Sequence, residues 1–379
     1  MKVVKVGILG AGAWAKGAHL PGYKQDPRCK VVAVCDPQIH LAQEAARMFN
    51  IETVTDNHHA VIGREDIDVI DVCTTVKTHF ELTMEALKEG KHVLCEKPVG
   101  HDFRQTLEAR DLAQKKGLKT KVGFTFRYSP AMMYMKELID TGYVGTPFIF
   151  NGYEQNSQWI NPQTPLRQES ELINADQSKL HVSSLEGYGA PIIDISRWLM
   201  GSDLSQVIGT MRNFVPERVV RETGTMMRMN IDDGDIYIGE YTSGALCSVQ
   251  TSYVAVGNYP GLEARVYGSK GALICRLVEE FGTCETLKGA KPDAVEFKDI
   301  PIPQRLYPPG GSVRDPKNEY ENESTPFYAN LISSFINEIL SKDSKTHGDF
   351  ADAAWVQETI NAVEKSFRER RWVSLPLGR

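Results

Sequence analysis

The chain has 379 residues, of which 41% are apolar and 24% charged, and its formal net charge at pH 7 is -6. This length exceeds what one hydrophobic core usually serves, so we expect two domains. A negative chain in which no basic patch stands out is not typical of a nucleic-acid-binding protein. No stretch approaches the roughly 18 uninterrupted apolar residues of a membrane-spanning helix, so we expect no membrane association.

Seven cysteines are scattered along the chain, and none of them forms a C-x-x-C pair. Cys35 and Cys73 lie in strand-like apolar runs, where a free thiol behaves as a small apolar side chain. This usage indicates a reduced, cytoplasmic protein with neither a thiol nucleophile nor a metal site.

The first 125 residues alternate between strand-like and helical stretches. The strand-like runs are "KVGILG", "VVAVCD", "ETVTD", "VIDVCT", "HVLCEK" and "TKVGFT". Most are separated by helical stretches such as "HLAQEAARMF" and "FRQTLEARDLAQKKG". Apolar strands that alternate with helices predict an α/β domain over residues 1–125, with a parallel sheet covered on both faces.

A different pattern begins after residue 125 and predicts a second α/β domain over residues 126–379. Helical spacing appears in "PAMMYMKELIDTG", in "IIDISRWLMG" and in two helices near the end of the chain. Between residues 205 and 300, strands separated by short turns, as in "LEARVYGSKGALICRL", indicate an antiparallel sheet. Residues 302–325 have the composition of a long exposed loop.

A glycine motif stands between the first strand and the helix that follows. Gly10 and Gly12 begin a G-x-G-x-x-A sequence that includes Ala13 and Trp14. Gly10 permits a tight turn, and Gly12 lets the backbone approach a pyrophosphate at the helix N-terminus. Asp36 ends the second strand, where its carboxylate can accept hydrogen bonds from the adenosine ribose and would repel a 2'-phosphate. The pattern predicts a dinucleotide site that prefers NAD to NADP; a plain glycine turn with Asp36 as a helix cap is the alternative.

The fourth strand ends in "CTTVKTH". Thr74 and Thr75 lie at its carboxyl end, where dinucleotides cross an open sheet. His79 is a further candidate for this cofactor site, although a histidine at the start of a helix is more often structural.

Motifs spread along the whole chain combine in one known pattern. They are Gly10 and Gly12, "AHLPG" at 18–22, Asp36, "TT" with His79, "GKHVLCEKP" at 90–98, "FRYSP" at 126–130, "YGSKGAL" and "RRWVSLPL". Together they closely resemble the glucose-fructose oxidoreductase, inositol dehydrogenase and MocA (Gfo/Idh/MocA) family.

This resemblance implies a Rossmann domain followed by an α/β domain with a large open, mostly antiparallel sheet. The outer face of that sheet commonly forms an oligomer interface, so a homo-oligomer, either a dimer or a tetramer, is expected. The resemblance also implies nicotinamide chemistry on a secondary alcohol, usually of a sugar or cyclitol.

In that family the lysine of the E-K-P motif contacts both the nicotinamide ribose and the substrate hydroxyl, and here that residue is Lys97. The resemblance places Glu96 toward the nicotinamide, with Pro98 fixing the turn that aims the lysine. From "FRYSP", Arg127 is a candidate for the cofactor site and Tyr128 for the substrate site.

The chain departs from the family in the motif Asp-x-Gly-x-His-x-x-Asp, whose first Asp and His share the acid-base work. Aligned on Asp194, the segment "GYGAPIID" has Gly187 at the position of that Asp and Pro191 at the position of the His. A positioned base normally contributes about 10²- to 10⁴-fold to such a reaction. The family's usual proton transfer therefore does not carry over directly.

Residues close to this motif are candidates to replace the lost pair. Tyr188 is adjacent to the position of the lost Asp, and His181 and Glu186 precede it. The alternative is Lys97 itself, because burial beside a cationic nicotinamide favours a neutral lysine that could take the proton.

The polar stretch 154–185 is expected to overhang the substrate pocket. Its candidates are Asn156, Trp159, whose indole could stack on a sugar face, and Arg167, which could bind hydroxyls or an anion. Asp194 is a further substrate candidate. The cationic candidates suggest an acidic or phosphorylated sugar.

Three functions are open at this point. The first is NAD-dependent hydride transfer from or to a secondary alcohol of a sugar, sugar derivative or cyclitol, with Lys97 polarising or deprotonating the hydroxyl. The second is a redox-neutral glycoside hydrolase or lyase, in which transient oxidation acidifies a neighbouring carbon and a substituent is eliminated. The third is a non-catalytic sensor of NAD or sugar, against which the retention of Lys97 argues.

Overall fold

The computed structural model describes residues 3–165, 178–221, 223–258, 261–278, 285–308, 325–341 and 347–378. The chain divides into two compact units, Met1–Ser129 with Gln304–Gln357, and Pro130–Pro303 with Glu358–Arg379. The first unit therefore includes a segment from late in the chain, which a single boundary at residue 125 does not anticipate.

A six-stranded parallel sheet forms the centre of the first unit. Its strands are β1 (Val4–Leu9), β2 (Cys29–Cys35), β3 (Thr53–Thr55), β4 (Val69–Val72), β5 (His92–Cys95) and β6 (Thr120–Val122), in the spatial order β3-β2-β1-β4-β5-β6. The predicted parallel α/β sheet is confirmed. The order reverses between β1 and β4, and ligands of open α/β sheets bind beyond the carboxyl ends of the strands at such a point.

Helices connect the strands of this sheet. They are α1 (Leu20–Gln25), α2 (Ile39–Phe49), α3 (His58–Ile62), α4 (Val76–Lys88) and α5 (Phe103–Lys116). A π-helical turn, Ala15–His19, precedes α1. Asp102 caps the start of α5, and Gly117 ends that helix with a φ of 67°, as its position in the sequence predicts.

The second unit is built on a nine-stranded sheet and a small two-stranded one. The strands are β7 (Pro147–Gln155), β8 (Leu204–Arg212), β9 (Glu217–Val219), β10 (Met226–Arg228), β11 (Gly234–Tyr241), β12 (Leu246–Ser252), β13 (Gly261–Gly268), β14 (Gly271–Val278), β15 (Thr286–Ala290), β16 (Lys298–Asp299) and β17 (Val373–Ser374). The order of the large sheet is β16-β15-β14-β13-β7-β12-β11-β8-β17. Its neighbours are antiparallel except β7 and β12, so the mostly antiparallel prediction is confirmed.

The remaining helices are α6 (Pro130–Asp140), α7 (Ser184–Gly187), α8 (Gly189–Met200), α9 (Thr325–Leu340) and α10 (Phe350–Glu369). α9 belongs to the first unit, and α10 contributes residues to both units. Among the described helices, none combines the length and apolar character that crossing a membrane requires.

The two faces of the large sheet differ in exposure. On β11, Tyr237 and Tyr241 point to a buried face, whereas Ile236 and Ile238 are 46% and 47% exposed. Leu246 on β12, 51% exposed, continues this apolar surface. Contiguous exposed apolar side chains mark a surface suited to protein contacts.

Apolar side chains of α9 explain why this helix belongs to the first unit. Leu331, Ile332, Phe335 and Ile336 are fully buried in one hydrophobic cluster with residues of β1 such as Ile8. Each such side chain contributes roughly 1.5–3 kcal/mol when it is removed from water.

A buried ion pair also fastens α9 to the sheet. Lys121 on β6 is fully buried, and its Nζ lies 2.6 Å from Glu338 Oε1 and 2.6 Å from the His347 carbonyl oxygen. The Tyr128 hydroxyl lies 3.1 Å from the same Nζ. Burial would lower the pKa of Lys121, but Tyr128 and Glu338 raise it, so the lysine keeps its charge.

Replacing Glu338 with Gln should destabilise the protein by about 3 kcal/mol, because it leaves the charge of Lys121 buried without a counter-ion. The free energy of unfolding is measured by chemical denaturation. Asp111→Asn removes a surface pair with Arg110 and, as the control, should change stability by less than about 1 kcal/mol. Equal stability of Glu338→Gln and the unchanged chain would contradict this role of the pair.

Candidate active site

The glycine turn after β1 is sterically tight at Gly10 and open at Gly12. Gly10 has a φ of 95°, and a side chain there would collide with the Cys73 carbonyl at the end of β4. A Cβ on Gly12, by contrast, would have no atom of the described residues within 4 Å. The backbone at Gly12 therefore faces open space, as the close approach of a pyrophosphate requires.

Asp36 connects the end of β2 to this turn. Its Oδ2 accepts a hydrogen bond from the Ala11 N–H at 2.8 Å, and its Oδ1 accepts one from the Gln38 N–H at 2.8 Å. Each carboxylate oxygen can accept a second hydrogen bond. Backbone donors thus fix both oxygens of Asp36 at the end of β2.

The residues after β4 differ in exposure. Thr75 is exposed, while Thr74 is partly exposed and its Oγ1 accepts a hydrogen bond from the Thr78 hydroxyl at 2.7 Å. His79 is only 1% exposed, with Nδ1 2.8 Å from the Pro98 carbonyl oxygen and Nε2 3.1 Å from that of Thr74. Its ring therefore braces the loop after β5, a structural role that the sequence also allowed.

Lys97 directly follows β5, and Glu96 beside it lies in a buried polar cluster. Glu96 Oε1 accepts a hydrogen bond from the Tyr328 hydroxyl and lies 3.1 Å from His19 Nε2. The Trp14 indole N–H lies 3.3 Å from the same oxygen and donates to the Tyr328 hydroxyl at 2.7 Å. Glu96 is thus directed into the unit, whereas Lys97 is partly exposed.

Asp71, in the middle of β4, completes this cluster. Its Oδ2 lies 2.8 Å from His19 Nδ1, and both side chains are fully buried. Burial would lower the pKa of His19, but the charge of Asp71 raises it well above its ordinary value. Burial would raise the pKa of Glu96, but hydrogen bonds from His19 and Tyr328 lower it to about 2. An imidazolium therefore lies between two carboxylates.

Arg127 and Tyr128 lie in the interior of the first unit. Arg127 is 3% exposed, with Nη1 3.2 Å from Asp352 Oδ2, and the Tyr128 hydroxyl donates to the His347 carbonyl at 3.0 Å. Both side chains form contacts inside the unit, and the roles expected from "FRYSP" stay predictions.

A second polar cluster lies in the second unit, where β11 begins and β12 ends. Asp232 is fully buried, and its carboxylate accepts hydrogen bonds from the backbone N–H groups of residues 183–185 at the start of α7. Asp235 accepts a hydrogen bond from the hydroxyl of Thr251, its partner across the strands. The Ser184 hydroxyl lies 3.0 Å from that of Thr251.

Burial raises the pKa of both carboxyl groups of this cluster. Burial raises the pKa of Asp232 to about 6, although the backbone N–H groups oppose this shift. Burial and the charge of Asp232 raise the pKa of Asp235 well above its ordinary value. Asp235 therefore keeps its proton when Asp232 ionises.

Tyr253 fills the space beside Gly187. A Cβ on Gly187 would collide with the hydroxyl oxygen of Tyr253, a side chain that is 6% exposed. The phenol thus takes the volume that an Asp side chain would need at residue 187. Burial, together with the neighbouring Tyr188 and the charge of Asp232, raises the pKa of Tyr253 well above its ordinary value, so the group stays a neutral donor.

Trp159 and Asn156 precede this region in the chain. The Trp159 ring stacks on Tyr253, with centroids 4.0 Å apart, and the Arg218 guanidinium lies 4.7 Å from the same ring. Asn156 is fully buried, and its Oδ1 accepts a hydrogen bond from the Gln158 N–H at 2.9 Å. Asn156 therefore stabilises a turn, and its contribution to the substrate pocket stays a prediction.

The other predicted residues of this unit differ in placement. Tyr188 is partly exposed, and its hydroxyl donates to Gln158 Oε1 at 3.1 Å. His181 is partly exposed and pairs through its backbone with Ile231. Asp194 is 1% exposed within α8. Arg167 lies outside the described residues.

One group of described side chains has the spacing of metal ligands. The ligand atoms of His58, His59 and Glu85 lie within 4.8 Å of one another on the surface of the first unit. His59 Nδ1 is 2.6 Å from Glu85 Oε1, the distance of a histidine–carboxylate hydrogen bond. That contact accounts for the grouping.

Sequence reasoning missed the buried members of both clusters. His19 lies inside the quoted "AHLPG", and "IDDGD" at 231–235 places Asp232 and Asp235 at the start of a strand, so both stretches carried a visible signal. Tyr253 and Tyr328 stand in ordinary apolar stretches, and only the folded chain places Tyr253 beside Gly187 and Tyr328 against Glu96.

Comparisons with known proteins agree with this fold. Residues 4–124 match the family model described as "Oxidoreductase family, NAD-binding Rossmann fold", and residues 132–274 match "GFO/IDH/MocA C-terminal domain". The chain is 27% identical over 296 residues to levoglucosan dehydrogenase of Pseudarthrobacter phenanthrenivorans, covering 72% of this chain and 74% of that protein.

A second relative and one solved structure extend the comparison. Inositol 2-dehydrogenase/D-chiro-inositol 3-dehydrogenase of Lactiplantibacillus plantarum is 28% identical over 284 residues, covering 74% of each chain. The solved structure of levoglucosan dehydrogenase in complex with NADH and levoglucosan is 23% identical, with a TM-score of 0.84 over 99% of this chain and 100% of that one. This last similarity shows a shared fold.

Asp235→Asn should stabilise the protein at high pH. Because folding raises the pKa of Asp232 and Asp235, the stability from these groups is complete below about pH 4 and declines as pH rises through about 6. The amide removes that decline and should add about 1–3 kcal/mol at pH 8, with little change at pH 4.5. Chemical denaturation at both values measures this difference.

The control is Asp233→Asn, which weakens a buried ion pair with Arg218 and should destabilise the protein at both pH values. If Asp235→Asn were destabilising at pH 8, the charge of Asp232 would not disfavour ionisation of Asp235.

Proposed function

The chain belongs to the Gfo/Idh/MocA family of NAD-binding oxidoreductases, and on that premise we propose that it transfers hydride between NAD and a secondary alcohol of a sugar, sugar derivative or cyclitol. Family membership makes the chain an NAD-dependent oxidoreductase. The names of its inositol and levoglucosan dehydrogenase relatives support the proposed substrate class.

The first unit has the groups that NAD requires. Gly12 leaves open space for a pyrophosphate, and the Asp36 carboxylate, fixed by the backbone at the end of β2, is the group that we propose for the ribose hydroxyls. Thr74 and Thr75 stand at the same sheet edge, beside the glycine turn. NAD, when bound, supplies the nicotinamide carbon that accepts or gives the hydride.

The observation that carries the proposal is the position of Lys97. It follows β5 at the carboxyl edge of the parallel sheet, next to a carboxylate that is buried and fixed. An ammonium donor there polarises the hydroxyl of an alcohol, and a neutral amine accepts its proton. We assign Lys97 this role.

Proton transfer must differ from the pattern of an Asp–His pair, because Gly187 and Pro191 stand at those positions. Tyr253, which fills the space beside Gly187, is a neutral hydrogen-bond donor. Its hydroxyl is better suited to donating a hydrogen bond to an alcohol or carbonyl oxygen than to removing a proton. Tyr188 and His181, both partly exposed, stay predictions for the same work.

A second copy of this chain is the partner that we propose for the large sheet. Ile236, Ile238 and Leu246 expose apolar side chains on one face, and burying them between two copies would remove this surface from water. Either a dimer or a tetramer uses such a face, and we propose the cytoplasm as its location because the described cysteines are free thiols.

Lys97→Met should lower the turnover of inositol or levoglucosan with NAD by about 10²- to 10⁴-fold, the range for a lost acid-base group. The NADH dissociation constant, measured by fluorescence titration, should change by less than about threefold, since the glycine turn and Asp36 remain. Lys115→Met on α5 is the control for loss of a lysine and should retain full turnover. Normal turnover of Lys97→Met would remove Lys97 from the mechanism.

A second candidate function is a redox-neutral glycoside hydrolase or lyase, and the loss of the Asp–His pair at Gly187 and Pro191 favours it. Transient oxidation followed by re-reduction returns the hydride, so no NADH accumulates. A third reading, a non-catalytic sensor, is opposed by the presence of Lys97.

The two enzymatic candidates differ in one measurable quantity. With a panel of sugars, cyclitols and aryl glycosides, the oxidoreductase should form about one NADH per product molecule, because each oxidation moves one hydride. Release of an aglycone from an aryl glycoside with no net NADH would instead establish the hydrolase or lyase.

A further inference from the structure

We propose that Glu96 is a positioning residue for Lys97, and that Trp14, His19 and Tyr328 form a clamp that holds it in place. The inference rests on the proposed function in one respect, namely that Lys97 acts on the substrate. The clamp itself is defined by contacts within the first unit.

The Glu96 carboxylate is hydrogen-bonded to the backbone of Lys97. Its Oε2 accepts a hydrogen bond from the Lys97 N–H at 3.3 Å, and the Glu96 N–H donates to the Val72 carbonyl at 2.9 Å. A side chain on Gly123 would collide with the same carboxylate, so this residue closes off its remaining side. Any movement of the Glu96 side chain would therefore shift the backbone of Lys97.

The other carboxylate oxygen collects donors from segments far apart in the sequence. Tyr328 on α9 donates its hydroxyl, His19 comes from the π-helical turn, and Trp14 from the first helical turn after the glycines. Two segments, residues 14–19 and α9, thus fix one oxygen atom. A surface Glu–Lys pair would not need this many protein donors, because water hydrates an exposed pair.

The clamp also connects Lys97 to the cofactor turn. Trp14 lies two residues after Gly12, and its indole N–H contacts both Tyr328 and Glu96. Trp14 is 41% exposed, whereas Glu96, His19 and Tyr328 are 9%, 0% and 0% exposed. The indole is therefore the one member of the clamp with substantial exposure, and it lies on the turn that faces the pyrophosphate space.

Charge explains why the clamp is rigid. The His19 imidazolium lies between the Asp71 and Glu96 carboxylates, and its ring centroid is 4.6 Å from that of Tyr328. The Cys73 thiol also faces His19. Separating any of these charges in a buried site would leave one of them unpaired, which is strongly unfavourable. The cluster therefore favours a single arrangement.

Tyr328→Phe and Glu96→Gln test the proposal with little change in shape. We expect Tyr328→Phe to lower kcat about 10-fold and Glu96→Gln about 100-fold, because a displacement of about 1 Å in a reacting group costs on that order. The NADH dissociation constant should stay within about threefold, so that the loss falls on kcat and not on binding. The test substrates are inositol and levoglucosan.

Tyr237→Phe is the matched control. Tyr237 is 1% exposed, lies in the second unit, and its hydroxyl has no hydrogen-bond partner among the described residues. Its loss should leave kcat within about twofold, while any general effect of removing a buried tyrosine hydroxyl would appear in thermal unfolding of both Tyr→Phe variants.

A second readout needs no turnover. Lys97 and Lys115 are acetylated with limiting acetic anhydride, with and without NADH, and their labelling rates are compared by peptide mass spectrometry. In the unchanged chain NADH should protect Lys97, and in Tyr328→Phe the rate at Lys97 relative to Lys115 should change at least threefold. Absence of sugar oxidation by the unchanged chain would reject the proposed function for these substrates, while the labelling still tests the clamp. Unchanged kcat and unchanged labelling in both variants would overturn the proposal.

Discussion

The buried carboxylate of Glu96 is the constraint around which the first unit is organised. A charge at the end of a central strand cannot keep its hydration, and burial penalises it unless partners replace the water. Asp71, on the neighbouring strand, is also a buried carboxylate and carries the same energetic penalty. One imidazolium between them, His19, neutralises much of both, and Tyr328 supplies a further donor. These requirements bring the π-helical turn and α9 to the edge where the glycine turn lies.

The late segment of the chain therefore belongs to the first unit for electrostatic as well as hydrophobic reasons. α9 buries Leu331 and Phe335 in the core, but apolar burial would tolerate other positions of the helix. The Tyr328 hydroxyl and the Glu338 carboxylate each meet a specific buried partner, Glu96 and Lys121. Directional contacts of this kind fix how the helix lies on the sheet.

Much of the fold and part of the site could be predicted because their signals are local. Strand periodicity, the turn at Gly10 and the helix stop at Gly117 depend on residues a few positions apart, and they agree with the structure. The placement of Tyr328 and Tyr253 could not be predicted, since each meets its partner through tertiary contacts that leave no periodic trace. The buried ion pair of Arg127 with Asp352 could not be predicted for the same reason, because the two residues lie far apart in the sequence.

The departure at Gly187 and Pro191 has a structural counterpart that bears on the chemistry. A phenol in the volume of a carboxylate can donate a hydrogen bond but does not accept a proton near neutral pH, because burial raises the pKa of Tyr253. Nearby, Asp235 is also held in its protonated form by burial and by Asp232. Tyr253 and Asp235 are therefore neutral donors within the second unit. In the mechanism that we propose, accepting the proton therefore falls to Lys97, whose placement we attribute to Glu96.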